Sequence, residues 1–300
     1  MLQIILKKYL AGIAITKQDV DHAEEFLSKE DGAFNGSKVF MRENFDYIVE
    51  KHGGKLPVEI RAVEEGSCVE HHNVLMSIRA TDPNCAWITN FLESIMLHVW
   101  YPITVATLSR EVKKVVKQAF LDTSDLTGSA LDMSIQYVLN DFGFRGVSSV
   151  ESAMNGGTGH LVNFLGSDNM ISAQNICDMY NTNFVYSKTI MATEHSVMTL
   201  FGGQEGELRM MERVLDAAPD TMVACVSDTY DIMNAVINNF GTILREKILS
   251  RPAHAPLIIR PDSGHVTVTL IKIFEALFDK FGYTTNNKGF KVLPPQIRVI

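Results

Sequence analysis

Five short apolar runs in the second half of the chain each end in a cluster of polar or charged side chains. They open near Leu161 (LVNF, then Gly166, Ser167 and Asp168), Ile190 (IMA, then Thr193, Glu194, His195 and Ser196), Met222 (MVACV, then Ser227 and Asp228), Leu257 (LII, then Arg260, Pro261 and Asp262) and Ile297 (IRVI). Successive starts lie roughly 30–40 residues apart, the length of one strand-plus-helix unit in an α/β barrel. Helical patterns fill the intervals: MISAQNICDMY, ELRMMERVLDAA, DIMNAVINNFGTILREKILS and VTVTLIKIFEALFDKF. Strands alternating with helices of this length predict parallel pairing through right-handed crossovers. In such barrels the carboxyl ends of the strands face the active site, so the polar clusters are expected to converge. About five of eight strands are accounted for, and the chain stops at Ile300 inside the last run. The expectation is an incomplete TIM-like (β/α) barrel in a chain that reads as cut short, with an open edge prone to aggregation.

The first part has a different rhythm. Thr16 is placed to cap an acidic helix (KQDVDHAEEFLSK), and ENFDYIVEKH predicts a second, stopped by Gly53 and Gly54. LPVEIRAVEEGSCVE and NVLMSIRA alternate apolar and polar positions, as half-buried antiparallel strands do. WITNFLESIMLHVW predicts an amphipathic helix leading to Pro102, and SREVKKVVKQAF predicts another after it. An α+β domain over 1–128 followed by a partial α/β barrel over 129–300 is the organisation these patterns imply.

Composition narrows the function. The net charge of −8 offers no basic surplus to neutralise a phosphate backbone, so nucleic acid is not the expected partner. Asn90 to Ser109 is the most apolar stretch, but Glu93, His98 and Pro102 argue against a bilayer span. At the amino end, Lys7 and Lys8 lie inside the apolar run, the reverse of signal-peptide order, so an amphipathic first helix is expected. Cys68, Cys85, Cys177 and Cys225 show no CxxC spacing and read as reduced, core or near-core thiols of a cytoplasmic protein.

His195 is the sharpest single candidate for chemistry, because imidazole changes charge near neutral pH and this one follows a predicted strand. A plain loop histidine is the alternative. Pro261 between Arg260 and Asp262 stiffens a turn that sends a cation and a carboxylate to one mouth, unless the two merely pair with each other. Asp228 and Asp168 also follow strands, and each has the alternative of capping the next helix. In DFGFRG, Phe142 offers an aromatic face and Arg145 a guanidinium, with Phe144 expected in the core. Gly156-Gly157-Thr158-Gly159 has the composition of a phosphate cradle but not its strand-to-helix context, so a flexible turn is expected. Glu70-His71-His72 lacks a third metal ligand at suitable spacing and is expected to be exposed.

Several longer strings carry a family signature: DFGFRGVSS (141–149), HLVNFLGSD (160–168), ATEHS (192–196), VSDTYD (226–231), APLIIRPDSG (255–264) and KVLPPQIRVI (291–300). Upstream, LPVEIRAV (56–63), TDP (81–83), WYPITVAT (100–107) and SRE (109–111) fit the same pattern in order. Together they resemble the nicotinamide phosphoribosyltransferases, which are type II phosphoribosyltransferases. The resemblance implies transfer of 5-phosphoribosyl from phosphoribosyl pyrophosphate to nicotinamide, assisted by Mg2+ and coupled to ATP through a phosphorylated histidine, in a homodimer. His195 matches that histidine, Phe142 the aromatic stacked on the pyridine ring, and Asp168 the acceptor of the carboxamide. Arg145 and Arg260 match residues that grip pyrophosphate, phosphate or the amide. Asp228 and Asp262 match carboxylates near the ribose, the magnesium and the histidine, while the metal ligands stay unassigned.

The departures are specific. Asn140 stands where the family often has histidine, and Ala224 replaces a serine. An amino-terminal segment with a ring-sandwiching tyrosine and the loops after RVI are expected to be missing, so the isolated chain is expected to be barely active. The competing readings are a non-catalytic fragment of the same enzyme, a nicotinate-specific transferase, and a metal-dependent hydrolase, for which the chain lacks a histidine-rich ligand set.

Overall fold

A computed structural model gives the architecture and describes residues 1–29 and 40–300. The chain opens with α1 (Leu2–Ile5), extended by a π-type turn Leu6–Leu10, and continues into α2 (Lys17–Leu27) and α3 (Arg42–His52). Thr16 starts α2 through a capping box: its hydroxyl accepts from the Asp19 N–H, and the Asp19 carboxylate accepts from the Thr16 N–H at 2.8 Å. α3 stops at Gly53, whose φ of 61° lies in the left-handed region that glycine enters without strain. The alternating segments form β1 (Val58–Ala62) and β2 (Met76–Ala80), paired antiparallel from Val58↔Ala80 to Ala62↔Met76 as expected.

α4 (Ile88–Met96) passes through a 3-10 turn, Leu97–Val99, into α5 (Trp100–Thr123). Pro102 was expected to separate two helices. It instead sits in the first turn of α5, where a backbone N–H has no intrahelical acceptor, so the helix runs through it. The continuous run Ile88–Thr123 is long and apolar enough to cross a membrane by length and composition, and 22% of its most apolar window is buried. Pro102 therefore does not break this run, while Glu93 and His98 remain as polar residues within it.

Next come α6 (Gly128–Ile135), β3 (Asn140–Asp141), α7 (Val150–His160), β4 (Gly166–Ser167) and α8 (Met170–Tyr180). Two expectations change here. The LVNF run is not a strand: the chain turns after α7, with the Val162 N–H bonded back to the Gly159 carbonyl, and the strand follows at Gly166. Gly156–Gly159 is the last part of α7 rather than a turn. A Cβ on Gly157 would lie 2.0 Å from Ser172 Oγ and 2.6 Å from Asn169 Nδ2, so the bare backbone is what admits α8 against α7. Close packing outweighs the low helix propensity of glycine.

The remaining elements are β5 (Met191–Ala192), the single turn α9 (His195–Met198), α10 (Gly203–Ala217), β6 (Val223–Val226), α11 (Ile232–Asn234) with a π-helical continuation Ala235–Ile243, α12 (Arg245–Leu249), β7 (Leu257–Arg260), α13 (Val266–Phe281), a hairpin of β8 (Thr284–Thr285) and β9 (Lys291–Val292), and β10 (Ile297–Val299). β5, β6, β7 and β10 form one parallel sheet in chain order. Four of the five predicted runs thus supply its strands. Val223, Val226, Leu257 and Ile259 are fully buried with Phe240, Ile248, Ile273 and Leu277 around them. Continuous apolar strands suit a sheet covered on both faces, and each such side chain contributes about 1.5–3 kcal/mol by leaving water.

Contacts divide this α/β chain into two compact units, 1–114 with 135–188 and 115–134 with 189–300. The first holds the β1/β2 and β3/β4 pairs, and the second holds the four-stranded sheet and the hairpin. The boundary drawn from the sequence falls inside segment 115–134, which belongs to the second unit. All four cysteines are free. Cys85 and Cys225 are buried and Cys177 partly so, whereas Cys68 is exposed and not near a core.

Candidate functional site

In the second unit the ends of β5, β6 and β7 carry His195, Asp228, Arg260 and Asp262. Thr193 fixes the first of these ends. It is buried, its N–H donates to the Ala224 carbonyl at 2.9 Å, and its hydroxyl accepts from the Val226 N–H at 3.0 Å. The chain leaving β5 is thereby tied to β6, and His195 begins the one-turn α9 directly above that tie. The Ser227 N–H donates to the Arg260 carbonyl at 3.0 Å, which ties the end of β6 to β7 in the same way.

These ties bring three side chains together. His195 Nε2 lies 3.1 Å from Asp228 Oδ1, and its Nδ1 lies 4.0 Å from Asp262 Oδ2. Asp228 is almost fully enclosed, with 4% of its side chain accessible, while Asp262 is open at 55%. The second oxygen of Asp228 accepts from the Asp262 N–H at 2.9 Å and from the Ser263 hydroxyl. Burial works to raise the pKa of Asp228, but Ser263, His195 and the Asp262 N–H outweigh it and hold the carboxyl below its ordinary value. Asp228 does not cap a helix; Asp231 does that for α11, accepting from the Met233 and Asn234 N–H groups. Arg260 and Asp262 form no ion pair with each other among the described residues, and Arg260 Nε is buried without a hydrogen-bond partner there. The arrangement can hold a partly exposed imidazole in one orientation, with an anion behind one nitrogen and a second carboxylate beside the other.

Glu207 was not foreseen. It lies on α10 with 0% of its surface accessible, and neither carboxylate oxygen has a hydrogen-bond partner among the described residues. Burial raises its pKa, Thr229 eases the shift, and Asp228 and Asp231 add to it. Thr193 and Ser227 lie in the polar clusters that end the apolar runs and Ser263 lies in APLIIRPDSG, yet the sequence assigns none of them a role. For Glu207 the only sequence signal was a carboxylate within the apolar face of α10.

In the first unit a separate group forms on β3 and β4. The Asp168 N–H donates to the Asp141 carbonyl at 3.1 Å, and Asn140 Nδ2 donates to Asp168 Oδ1 at 3.3 Å. Asn169 Nδ2 returns the favour to Asp141 Oδ2 at 3.3 Å, while Asp141 Oδ1 accepts from the Gly143 N–H at 2.8 Å. Phe142 is half exposed beside them, and Arg145 is exposed. Phe144, expected in the core, is 47% exposed. Asp168 is exposed and does not cap α8, whose N-cap is Asn169 without a side-chain bond. A cavity of about 340 Å³ is lined here by Tyr101, Asn140, Asp141, Phe142 and Asn169 among others.

Elsewhere in this unit, His52, Asp82 and Cys85 each offer a ligand atom within 4.8 Å of the others. Asp82 is already engaged by the His52 ring at 2.9 Å, the Tyr47 hydroxyl at 3.0 Å and the Asn84 N–H at 2.9 Å, so a structural cap accounts for the cluster. Glu70, His71 and His72 are exposed as expected.

Residues 137–300 match the family model described as "Nicotinate phosphoribosyltransferase (NAPRTase) family". The chain belongs to that family. Residues 1–60 match a second model, "Nicotinamide phosphoribosyltransferase, N-terminal domain". A protein of Xanthomonas campestris named nicotinamide phosphoribosyltransferase is 41% identical over 100% of this chain and 61% of its own length. Proteins of the same name from Acinetobacter baylyi and Mycoplasma pneumoniae are 30% and 29% identical over 82% and 85% of this chain, and over 51% and 55% of their own. The chain therefore spans between about half and three-fifths of the length of these curated relatives.

Proposed function

We propose that this chain is the greater part of a nicotinamide phosphoribosyltransferase, acting on nicotinamide and phosphoribosyl pyrophosphate in pyridine nucleotide biosynthesis. The observation that carries this reading is the 41% identity over every residue to a protein of that name. In the proposed reaction the pyridine nitrogen of nicotinamide attacks C1 of the ribose, the bond from C1 to the pyrophosphate oxygen breaks, and pyrophosphate leaves with the electron pair. The ribosyl centre passes through an oxocarbenium-like state, by analogy with glycoside cleavage. Phe142 would stack on the ring, Asp168 would accept from its carboxamide, and Arg145 and Arg260 would hold phosphate oxygens. The buried Nε of Arg260, without a hydrogen-bond partner among the described residues, fits a group that receives its partner with the substrate.

ATP coupling through His195 belongs to the same proposal. With Nε2–H donating to Asp228, the Nδ1 lone pair is the nucleophile for the γ-phosphorus, and the bond to ADP breaks as the P–N bond forms. The imidazolium so formed is stabilised by the enclosed Asp228 carboxylate. Mg2+ would neutralise phosphate charge, and the open Asp262 carboxylate provides the hard oxygen it prefers. The parallel sheet, with each strand added beside its predecessor, supports a (β/α) barrel. A cytoplasmic homodimer completes the reading, supported by the free cysteines and by exposed Phe91, Leu97, Trp100 and Leu108 along α4 and α5.

Product formation from nicotinamide and from nicotinate, each with phosphoribosyl pyrophosphate, by a version of the protein extended to the length of its relatives tests the proposal. Nicotinamide mononucleotide and pyrophosphate in equal amounts are expected. Preferential use of nicotinate would replace this reading with the acid-specific one that the family model's name favours.

A further inference from the structure

We propose that Asn169 is a positioning residue that holds Phe142 in place for the substrate ring by fixing the Asp141 carboxylate; this rests on the nicotinamide reading above. Asn169 stands at the N-cap of α8, where asparagine is among the residues best suited to accept a backbone N–H of the first turn. Its side chain does not take that role. Instead Nδ2 donates to the Ala153 carbonyl at 2.8 Å and to Asp141 Oδ2 at 3.3 Å. A carbonyl oxygen only accepts, so Ala153 fixes which end of the amide faces Asp141. Asn169 is 1% exposed, and its Oδ1 is buried without a hydrogen-bond partner among the described residues. The helix cap and the pairing of one amide oxygen are both given up where the link to Asp141 is made. Local rules broken together in this way mark a residue kept for more than stability.

The link reaches Phe142 through one residue. Asp141 Oδ1 accepts from the Gly143 N–H at 2.8 Å, which closes a turn around Phe142. With Oδ1 on Gly143 and Oδ2 on Asn169, the carboxylate cannot rotate without breaking a bond. β3 and β4 are two residues each, so ladder bonds hold little of this segment and the side-chain bonds matter more. Two glycines make room for the arrangement. A Cβ on Gly157 would lie 2.6 Å from Asn169 Nδ2, and one on Gly143 would lie 2.9 Å from Asp141 Oδ1. Phe142 is 49% exposed, so packing alone leaves its ring poorly fixed. A ring that must meet a flat substrate face to face then depends on the turn beneath it, and that turn depends on Asp141 and Asn169.

Steady-state kinetics with nicotinamide and phosphoribosyl pyrophosphate, in a version extended to the length of its relatives, test this on N169S. Serine can cap α8 but is too short to reach Asp141, and the Ala153 carbonyl keeps its bond from the Ser172 hydroxyl at 3.2 Å, so the fold is retained. N169S is expected to raise KM for nicotinamide about three- to tenfold, the worth of an oriented aromatic pair, with kcat within about twofold of wild type. In an F142L background, where the aromatic face is already gone, N169S is expected to cost less than about a further twofold, whereas a purely structural role gives additive losses. A wild-type KM in N169S, or full additivity with F142L, overturns the role of Asn169 alone. If N169S does not fold, N169T, which also caps the helix and fills more space, decides by the same two readings. An unmodified extended protein that makes no mononucleotide from nicotinamide overturns the functional reading itself, and the inference with it.

Discussion

Glu207 is a fully buried carboxyl in the second unit, and replacing it should stabilise the protein. Its carboxyl is fully enclosed; neither oxygen has a partner at hydrogen-bond distance among the described residues, and the Thr229 hydroxyl, itself unpartnered there, is the nearby group that eases its charge. A buried polar group left unpaired costs about 1–3 kcal/mol. Methionine has a similar length and adapts to irregular space, so Glu207→Met removes that cost with little repacking strain. At roughly 2–4 °C per kcal/mol for a domain of this size, the melting temperature should rise by roughly 2–12 °C. The pH dependence gives a second reading. Burial, then Asp228 and Asp231, raise the folded-state pKa of Glu207 against the easing effect of Thr229. A raised carboxyl contributes stability that is fully present below the ordinary glutamate value, about pH 4.3, and is lost as pH rises through the folded value. Wild type should therefore lose stability relative to Glu207→Gln as pH climbs above the ordinary glutamate value, with a slope of at most about 1.4 kcal/mol per pH unit. Thermal melts of both variants across that range supply the measurement. A Glu207→Met protein that melts at or below wild type at pH 8 would show that the carboxyl has a partner in solution and refute the reasoning.

Three further outcomes are expected. Gly157→Ala should destabilise the first unit by about 1–3 kcal/mol, because the new methyl meets Ser172 Oγ at 2.0 Å, and chemical denaturation of the variant measures it. In a version extended to the length of its relatives, His195→Ala should abolish ATP stimulation of mononucleotide synthesis and leave slow basal transfer; unchanged stimulation removes the histidine from its proposed role. Asp168→Asn should lower the preference for nicotinamide over nicotinate by about tenfold or more, read as the ratio of kcat/KM values, since the amide no longer repels a carboxylate.

The parallel sheet was legible because β6 and β7 are buried on both faces and so read as unbroken apolar runs bounded by charge. Thr16, Gly53 and the alternation of Val58–Ala62 with Met76–Ala80 were equally plain, since capping, left-handed backbone and half-burial act within a few residues. His195, Asp228, Arg260 and Asp262 stood out for a positional reason: each ends or follows a strand. Other features left no local trace. β3 and β4 are two residues each and have no period to detect, so LVNF carries the apolar pattern of a strand while the strand itself begins at Gly166. The glycines of α7 spelled a turn, yet they form a helix face because α8 comes close enough to forbid a Cβ. Asp228 accepted His195, Ser263 and the Asp262 N–H instead of capping a helix, and Asn140 found Asp168, through partners that lie far along the chain. Local conformational preference and the pattern of burial are written in neighbouring residues. Which polar groups meet, and which carboxyl is left without a partner, depends on distances that exist only once the strands are side by side.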